Sequence, residues 1–173
     1  MEAEVRDPAD TGVEPRALIS SRLGPPVQVR VIDYGMGNLR SVVNAFGALG
    51  CDVQVSRRKE DIGHADAYVL PGVGAFGEAM RNLDRLGIVG TLAAEVLGRK
   101  KPFLGICLGM QLLAEDSNEL GHHKGLAWIR GHVLRLDQSE GVRLPHVGWN
   151  DVDVRTSQPL FNHIDPGSHY YFD

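Results

Sequence analysis

The chain has 173 residues, enough for one globular domain with a substantial apolar core. Hydrophobic residues make up 43% and charged residues 23%, and the formal net charge is -4, which excludes the basic profile typical of proteins that bind nucleic acid or anionic membranes. Two cysteines, Cys51 and Cys107, exclude a disulfide framework, and no apolar run reaches the roughly 20 residues that span a bilayer. We therefore expect a soluble protein of the reducing cytoplasm.

The amino-terminal residues differ in texture from the rest of the chain. They carry scattered charges with Ala, Ser and Pro, show no sustained hydrophobic period, and close at Gly24-Pro25-Pro26. Such a composition is typical of a disordered segment. We therefore predict a disordered extension over residues 1–26 and a single domain over residues 27–173.

Strands and helices alternate in the first part of that domain. Apolar and β-branched runs predict strands over residues 27–32, 51–55, 67–70 and 103–106. Apolar residues at helical spacing predict helices over residues 39–49, 76–86, 89–97 and 108–114. This alternation is typical of an α/β fold whose mostly parallel sheet carries helices on both faces.

Three turns lie at the carboxyl ends of predicted strands. They are residues 33–38, residues 71–77 and the turn at Cys107. Ligands of parallel α/β sheets bind outside the carboxyl ends of the strands. We therefore expect these three turns to share one crevice.

The pattern after Ala114 predicts less regular structure. Residues 115–124 form a polar stretch in which we expect His122 and His123 to be solvated. Strand character returns over residues 126–136, in the alternation at Val152 and Val154, and in the aromatic residues 170–172; the last of these exposes an apolar edge.

Cys107 stands in the sequence Gly105-Ile106-Cys107-Leu108-Gly109, between a predicted strand and a predicted helix. This is the pattern of a nucleophile elbow, with cysteine where α/β hydrolases carry serine. The glycines suit a strained turn, and the start of the following helix favours the thiolate. The alternative is a buried structural cysteine between two loop glycines.

An activated thiol beside an oxyanion hole performs acyl transfer through a thioester. The backbone N–H of Leu108 is placed to donate to an oxyanion beside the sulfur, and Gly72-Val73-Gly74 offers flexible N–H groups across the crevice. Gln111 lies one helical turn beyond Cys107, where it would recognise a polar substrate group. The alternatives are a plain glycine turn and a solvent-exposed glutamine.

Four sequence blocks resemble those of a known family. Residues 105–111 resemble the signature of class I, triad-type glutamine amidotransferases. Residues 33–38, 71–76 and 145–150 narrow the resemblance to the glutaminase subunits of imidazole glycerol phosphate synthase. The resemblance covers about residues 28–173 and implies a flavodoxin-like amidotransferase domain.

The resemblance also implies an activity and a partner. Proteins of this family hydrolyse glutamine to glutamate and pass the ammonia to a (β/α)8-barrel cyclase in histidine biosynthesis, forming a heterodimer with it. No cofactor and no metal are expected. By matching position, Cys107 is the nucleophile, the N–H of Leu108 is one oxyanion donor, and Gln111 holds the glutamine. Gly72, Val73 and Gly74 form the opposing strand, whose peptide flip completes the oxyanion hole.

A second set of matching positions is assigned by the resemblance to the cyclase interface. It consists of Asn38, Pro145, His146, Trp149 and Asn150. For Trp149 the alternative is ordinary core packing.

The chain departs from the family at the general base. In the family this base is a histidine oriented by a glutamate, in a His-Pro-Glu segment beyond the Tyr-Tyr-Phe strand. The sequence ends at Asp173, and none of its seven histidines occupies that position. We therefore expect a chain truncated at its carboxyl end, with impaired glutaminase activity.

Three other functions stay open from the sequence. The first is a non-catalytic, degenerate amidotransferase domain that acts as a binding module. The second is a thiol hydrolase or another class I amidotransferase, which the block at residues 145–150 disfavours. The third is a flavin or nucleotide binder, which the lack of Gly-x-Gly-x-x-Gly after the first strand disfavours.

Overall fold

The computed structural model describes residues 24–136, 144–155, 159–162, 164–165 and 167–172. Most of the predicted disordered extension, residues 1–23, lies outside the described residues; residues 24–26 are exposed and have no regular secondary structure. The chain divides into two compact units, residues 1–135 and residues 136–173. A single domain over residues 27–173 stays a prediction.

The first unit is built on a four-stranded sheet in the order β2-β1-β3-β4. All three pairings are parallel. The strands are β1 (Gln28–Ile32), β2 (Asp52–Ser56), β3 (Ala67–Gly72) and β4 (Phe103–Cys107). The helices that connect and follow them are α1 (Leu39–Ala48), α2 (Lys59–Ile62), α3 (Phe76–Leu86), α4 (Val89–Ala93) and α5 (Leu108–Gln111).

Apolar side chains cover both faces of this sheet. On one face, Val29 and Val31 of β1 and Val69 of β3 cluster with Val42 of α1. On the other face, residues of β1 and β3 cluster with residues of the remaining helices: Ile32, Tyr68, Leu70, Ile62, Ala79, Leu83, Leu92 and Leu108. Successive side chains of a strand point to opposite faces, so one apolar strand supplies two cores. The predicted α/β fold with helices on both faces is confirmed.

The helices differ from the predicted ones in three places. The helix predicted over residues 89–97 begins as α4 and continues as a π-helical segment, Ala94–Gly98. The one-turn helix α2 was missed, because four residues are too few to show a hydrophobic period. The helix predicted over residues 108–114 is only α5: the N–H of Leu112 still bonds to the carbonyl of Leu108, but those of Leu113 and Ala114 bond to carbonyls only three residues earlier.

A small three-stranded sheet completes the first unit, in the order β6-β5-β7. Its strands are β5 (Asp116–Ser117), β6 (His123–Lys124) and β7 (His132–Val133). The strand character predicted over residues 126–136 is therefore confirmed only at β7, directly after Gly131, and is wrong for the rest of that range. Backbone hydrogen bonds from residues 125–129 to carbonyls of residues 112–115 hold that stretch against the end of α5 instead.

The second unit contains an antiparallel pair of strands. Strand β8 (Gly148–Asp151) pairs with β9 (His169–Phe172), and a 3₁₀ turn spans Pro159–Phe161. The aromatic strand predicted over residues 170–172 is confirmed, whereas the strand predicted around Val152 and Val154 is wrong, because pairing ends at Asp151. Within the described residues of both units, no helix is long and apolar enough to cross a membrane.

Candidate active site

Cys107 occupies a strained turn between β4 and α5. Its backbone angles are φ 53° and ψ -118°, a conformation that residues with a side chain rarely adopt and that costs on the order of 1–3 kcal/mol. The residue is exposed at the end of the strand. A strained, exposed nucleophile position is the geometry of an elbow, and the alternative of a buried structural cysteine is wrong.

The flanking glycines are required by close contacts. A Cβ atom on Gly105 would lie 2.6 Å from the Cα of Met110 and 2.8 Å from its backbone nitrogen. A Cβ atom on Gly109 would overlap the carbonyl oxygen of Leu70 and lie 2.7 Å from the carbonyl carbon. All these distances are shorter than the contacts that real Cβ atoms make. Helix α5 therefore packs this closely against β3 and β4 only because Gly105 and Gly109 lack side chains.

Helix α5 positions two further predicted residues. Leu108 is its first residue, so its N–H has no partner within the helix and is free to donate at the turn. Gln111 is its last residue and is half-buried. Because α5 has only one turn, the dipole that it directs toward Cys107 is smaller than the predicted seven-residue helix would supply.

The predicted oxyanion strand lies beside this turn. Gly72 is the last residue of β3 and pairs in register with Cys107. Gly72 is buried, whereas Val73 is 57% exposed and Gly74 has a positive φ of 107°. The segment therefore leaves the sheet directly opposite the nucleophile, with a glycine at each end.

The loop between β1 and α1 packs against the same segment. A Cβ atom on Gly74 would lie 2.7 Å from Cε of Met36, and one on Gly37 would lie 3.3 Å from Cγ of Pro71. A Cβ atom on Gly72 would clash with the hydroxyl oxygen of Tyr34. The predicted convergence of the three turns on one end of the sheet is confirmed.

Tyr34 is a residue of this site that sequence reasoning missed. Its side chain is 4% exposed, and its hydroxyl has no hydrogen-bond partner among the described residues. Burial raises the pKa of this phenol strongly, and the negative charge of a nearby Cys107 thiolate raises it further. The only signal in the sequence was its position two residues past a strand, within a block that was already singled out.

Asp33 holds the loop that carries Tyr34. Its carboxylate accepts hydrogen bonds from the N–H of Gly35, at 3.0 Å, and from the Arg57 guanidinium, at 2.5 Å. Burial acts to raise the pKa of Asp33, but the hydrogen bonds from Arg57 and Gly35 outweigh it and lower the pKa. The carboxylate therefore stays ionised, and its ion pair with Arg57 connects this loop to the residue that directly follows β2.

The small sheet of the first unit holds the other end of the oxyanion segment. The Glu119 carboxylate accepts a hydrogen bond of 2.8 Å from the N–H of Phe76, the first residue of α3. The ring of His123 packs on Gly77, so that a Cβ atom there would lie 2.6 Å from its Nε2 atom. His123 is therefore half-buried, and the expectation that it is solvated is wrong.

Two further histidines of the first unit contact Asp116, away from Cys107. Nδ1 of His132 lies 2.8 Å from Oδ1 of Asp116, and Nε2 of the exposed His122 lies 3.4 Å from Oδ2 of the same carboxylate. Within the part of the chain that the structure describes, no histidine is hydrogen-bonded to Cys107.

The predicted interface residues lie in both units. Asn38 is exposed and caps α1 by accepting a hydrogen bond of 3.3 Å from the N–H of Ser41. In the second unit Pro145, His146 and Asn150 are exposed. Trp149 is 70% exposed and packs edge-on against Tyr171, which excludes the alternative of core packing within that unit. Their role in binding a partner stays a prediction.

No group of three or more potential metal ligands is clustered among the described residues.

Comparison with known proteins identifies the family. The family model of class-I glutamine amidotransferases matches residues 30–166. The imidazole glycerol phosphate synthase subunit HisH 1 of Campylobacter jejuni (strain RM1221) is 43% identical over 144 residues, covering 83% of this chain and 72% of the relative. The corresponding HisH subunit of Aquifex aeolicus (strain VF5) is 47% identical over 143 residues, covering 82% and 68%. The resemblance of the four sequence blocks and the flavodoxin-like fold that it implied are thus confirmed, and this chain belongs to the class-I glutamine amidotransferase family.

Proposed function

We propose that this chain is the glutaminase subunit of an imidazole glycerol phosphate synthase. It would hydrolyse glutamine to glutamate and supply the ammonia to a cyclase subunit in histidine biosynthesis. The observation that carries the proposal is the strained turn at Cys107. Close packing at Gly105 and Gly109 allows this turn, and Cys107 is paired with Gly72 on the neighbouring strand β3. The identity of 43–47% to HisH subunits supports the same activity.

The geometry suits attack of a thiolate on a carboxamide. The Cys107 sulfur bonds to the amide carbon of glutamine, and the carbonyl oxygen becomes an oxyanion that the N–H of Leu108 is placed to stabilise. Protonation of the nitrogen lets the C–N bond break with release of ammonia, leaving a thioester. Water then attacks the thioester, which releases glutamate and restores the thiol.

The oxyanion requires a second donor from the opposite wall. Val73 follows the in-register residue Gly72, is exposed, and is followed by Gly74. Rotation of the peptide between Gly72 and Val73 would turn its N–H toward the oxyanion. This rotation changes ψ of Gly72 and φ of Val73, and Gly72, which has no Cβ, tolerates its share of the change. Gln111, on the same helix as Leu108, would hold the polar groups of the substrate.

Proton transfer is the step that these 173 residues support least. A leaving amine needs a general acid, and thioester hydrolysis needs a general base. Among the described histidines of the first unit, His122 and His132 lie against Asp116 and His123 packs on Gly77, and none is hydrogen-bonded to Cys107. We therefore expect glutamine hydrolysis by these 173 residues alone to be slower than in a relative with a complete triad, by roughly 10⁴- to 10⁶-fold.

The partner of this proposal is a (β/α)8-barrel cyclase, with which the chain would form a cytoplasmic heterodimer that has lyase activity as a whole. The second unit carries exposed aromatic side chains at Trp149, Tyr171 and Phe172. Monomeric proteins rarely expose such a group of large apolar residues unless it binds a partner. No cofactor is part of the proposed reaction.

A second candidate is a binding module without hydrolytic activity. It is favoured by one observation, namely that no histidine of the described residues is hydrogen-bonded to Cys107. In this case the chain would bind the cyclase through the exposed aromatic residues and release no ammonia.

Ammonia release separates the two candidates. We would measure it from glutamine with the 173-residue chain, with and without the cyclase and its ligand, using Cys107→Ala and Cys51→Ala as matched variants. Release that the cyclase stimulates, that Cys107→Ala abolishes and that Cys51→Ala retains would support the glutaminase. A folded chain that binds the cyclase and releases no ammonia would support the binding module, and release unaffected by Cys107→Ala would contradict the proposed nucleophile.

A further inference from the structure

The Tyr34 hydroxyl is a buried polar group without a partner. The side chain is 4% exposed, and among the described residues no donor or acceptor is within hydrogen-bonding geometry of its oxygen. Buried hydroxyl groups in folded proteins are nearly always paired, because an unpaired one loses its hydrogen bonds to water without compensation. An exception beside a reactive cysteine calls for a ligand or a second conformation that pairs it.

The position of this hydroxyl is narrowly defined. A Cβ atom built on Gly72 would clash with the hydroxyl oxygen, and that Cβ position would also lie 2.8 Å from the backbone nitrogen of Gly109 and 2.9 Å from Cβ of Leu108. The hydroxyl thus borders the end of β3 at Gly72, which the turn that follows Cys107 also approaches closely. Gly72 leaves this space free, so the glycine and the tyrosine form one packing unit.

The neighbouring groups keep the Tyr34 hydroxyl protonated and therefore able to donate a hydrogen bond. Burial and the charge of Cys107 both disfavour loss of its proton, so the pKa of Tyr34 lies well above that of a free tyrosine and the group stays a donor. A peptide N–H and its carbonyl point in opposite directions, so rotating a peptide to present its N–H to an oxyanion also turns its carbonyl out of the sheet. That carbonyl then needs a new donor.

We propose that Tyr34 is a positioning residue for the oxyanion segment, whose hydroxyl donates to the carbonyl of the peptide between Gly72 and Val73 when that peptide rotates to complete the oxyanion hole. The inference rests on the proposed function. It explains why the hydroxyl is unpaired in the present state, in which Gly72 is still paired in register within the sheet. It also explains why a tyrosine stands where a phenylalanine would fill the same volume.

The test compares two alkylating reagents on the intact chain at one pH. A chloromethyl ketone analogue of glutamine labels Cys107 through a tetrahedral adduct that uses the oxyanion hole, whereas iodoacetamide displaces iodide directly and does not. For Tyr34→Phe we expect the rate with the ketone to fall about tenfold, less than the roughly 10²–10³-fold typical of removing an oxyanion donor itself. The rate with iodoacetamide is expected to stay within about twofold, and so is the labelling of Cys51, the internal standard.

Two further variants control for folding. Tyr68→Phe removes another buried tyrosine hydroxyl, one that donates to the Ile62 carbonyl near the opposite end of β3, and should leave the ratio of the two rates unchanged. Tyr34→Met removes the Tyr34 hydroxyl with a flexible apolar side chain and should give the same selective loss as Tyr34→Phe. Thermal unfolding of Tyr34→Phe should occur at the wild-type temperature or above it, because the lost hydroxyl is unpaired.

Each contrary outcome has a distinct meaning. Unchanged rates in Tyr34→Phe, or an equal loss with both reagents, would overturn the positioning role, the second because it would show an effect on the thiol or on the fold. If wild-type Cys107 reacted with the ketone no faster than Cys51 does, the proposed glutaminase function would fail, and this inference with it.

Discussion

At the scale of single residues, the site depends on side chains that are absent. The strained backbone of Cys107 is tolerated because Gly105 and Gly109 allow α5 to approach β3 and β4 more closely than any side chain would permit. The side chains of Leu108 and Leu112, which follow the turn, are buried in the core and hold it in place. The conformation of the nucleophile is therefore stabilised by the packing of its neighbours.

Gly109→Ala tests this account. The new methyl group would overlap the Leu70 carbonyl, so we expect the free energy of unfolding to fall by about 3 kcal/mol, the upper end of the usual cost of overpacking. Urea denaturation measures this change. The matched control is Gly90→Ala in α4, where the methyl group meets no atom within 4 Å and should stabilise the helix by about 0.5–1 kcal/mol. Equal stability of the two variants would contradict the account.

At the scale of elements, the small sheet β5–β7 acts as a clamp on α3. Glu119 and His123 connect this sheet to the first turn of α3, which directly follows the oxyanion segment. The strands of this sheet are only two residues long. Strands β5 and β7 are parallel, and Asp116 of β5 is paired with His132 of β7. An ion pair between these two side chains therefore contributes to holding the clamp together.

The stability of this clamp should depend on pH. The hydrogen bond and charge of Asp116 raise the pKa of His132, so the pair stabilises the fold fully below the pKa of an unfolded histidine, about 6.5, and less as pH rises through the folded value. His132 in turn lowers the pKa of Asp116, so the stabilisation is lost as pH falls below about 4. The contribution should be largest between these limits.

His132→Gln measures the contribution. We expect this variant to lower the free energy of unfolding, measured in urea at low salt, by more at pH 5.5 than at pH 8.5. The effect should be small and should weaken in high salt, because the pair is exposed. A larger loss at pH 8.5 than at pH 5.5 would contradict the ion pair.

At the scale of the whole molecule, a buried charged cluster and the candidate active site lie at opposite ends of the main sheet. The buried Glu95 pairs with Lys101 at 2.7 Å and Arg99 at 2.6 Å, just before β4 begins. Cys107, Gly72 and the loop after β1 lie at the carboxyl ends of the strands. Changes at the charged cluster should therefore affect folding before they affect the thiol.

Binding of the cyclase should depend on the second unit. We expect Trp149→Ala to weaken the complex on the order of 30-fold, about 2 kcal/mol, because large exposed aromatic side chains are frequent binding hot spots. The dissociation constant measures this effect, and alkylation of Cys107 by iodoacetamide should not change. Leu160→Ala, in the same unit and 82% exposed, is the control and should bind normally. Equal binding by both variants would remove Trp149 from the proposed interface.

Local patterns in the sequence were sufficient for the main elements and for the strained turn at Cys107. The boundaries of α3 match the predicted ones, and β1, α1 and β4 match within one residue, because each has a strong hydrophobic period or run bounded by glycine or a polar turn. The spacing of glycines around Cys107 predicted the strained turn for the same reason: the geometry of an elbow depends on adjacent residues. Patterns failed where elements are only two to four residues long, as in α2 and β5–β7.

The roles of Tyr34, Glu119 and His123 were decided by tertiary structure alone. Each meets its partner across a large separation in sequence: Tyr34 lies against Gly72, Glu119 binds the N–H of Phe76, and His123 packs on Gly77. The sequence by itself determined the α/β fold, the strained turn at Cys107 and the family, since these depend on periodicity and on contiguous motifs. Which side chains surround the thiol and hold the oxyanion segment depends on how parallel strands and their loops are brought together, and only the folded chain decides that.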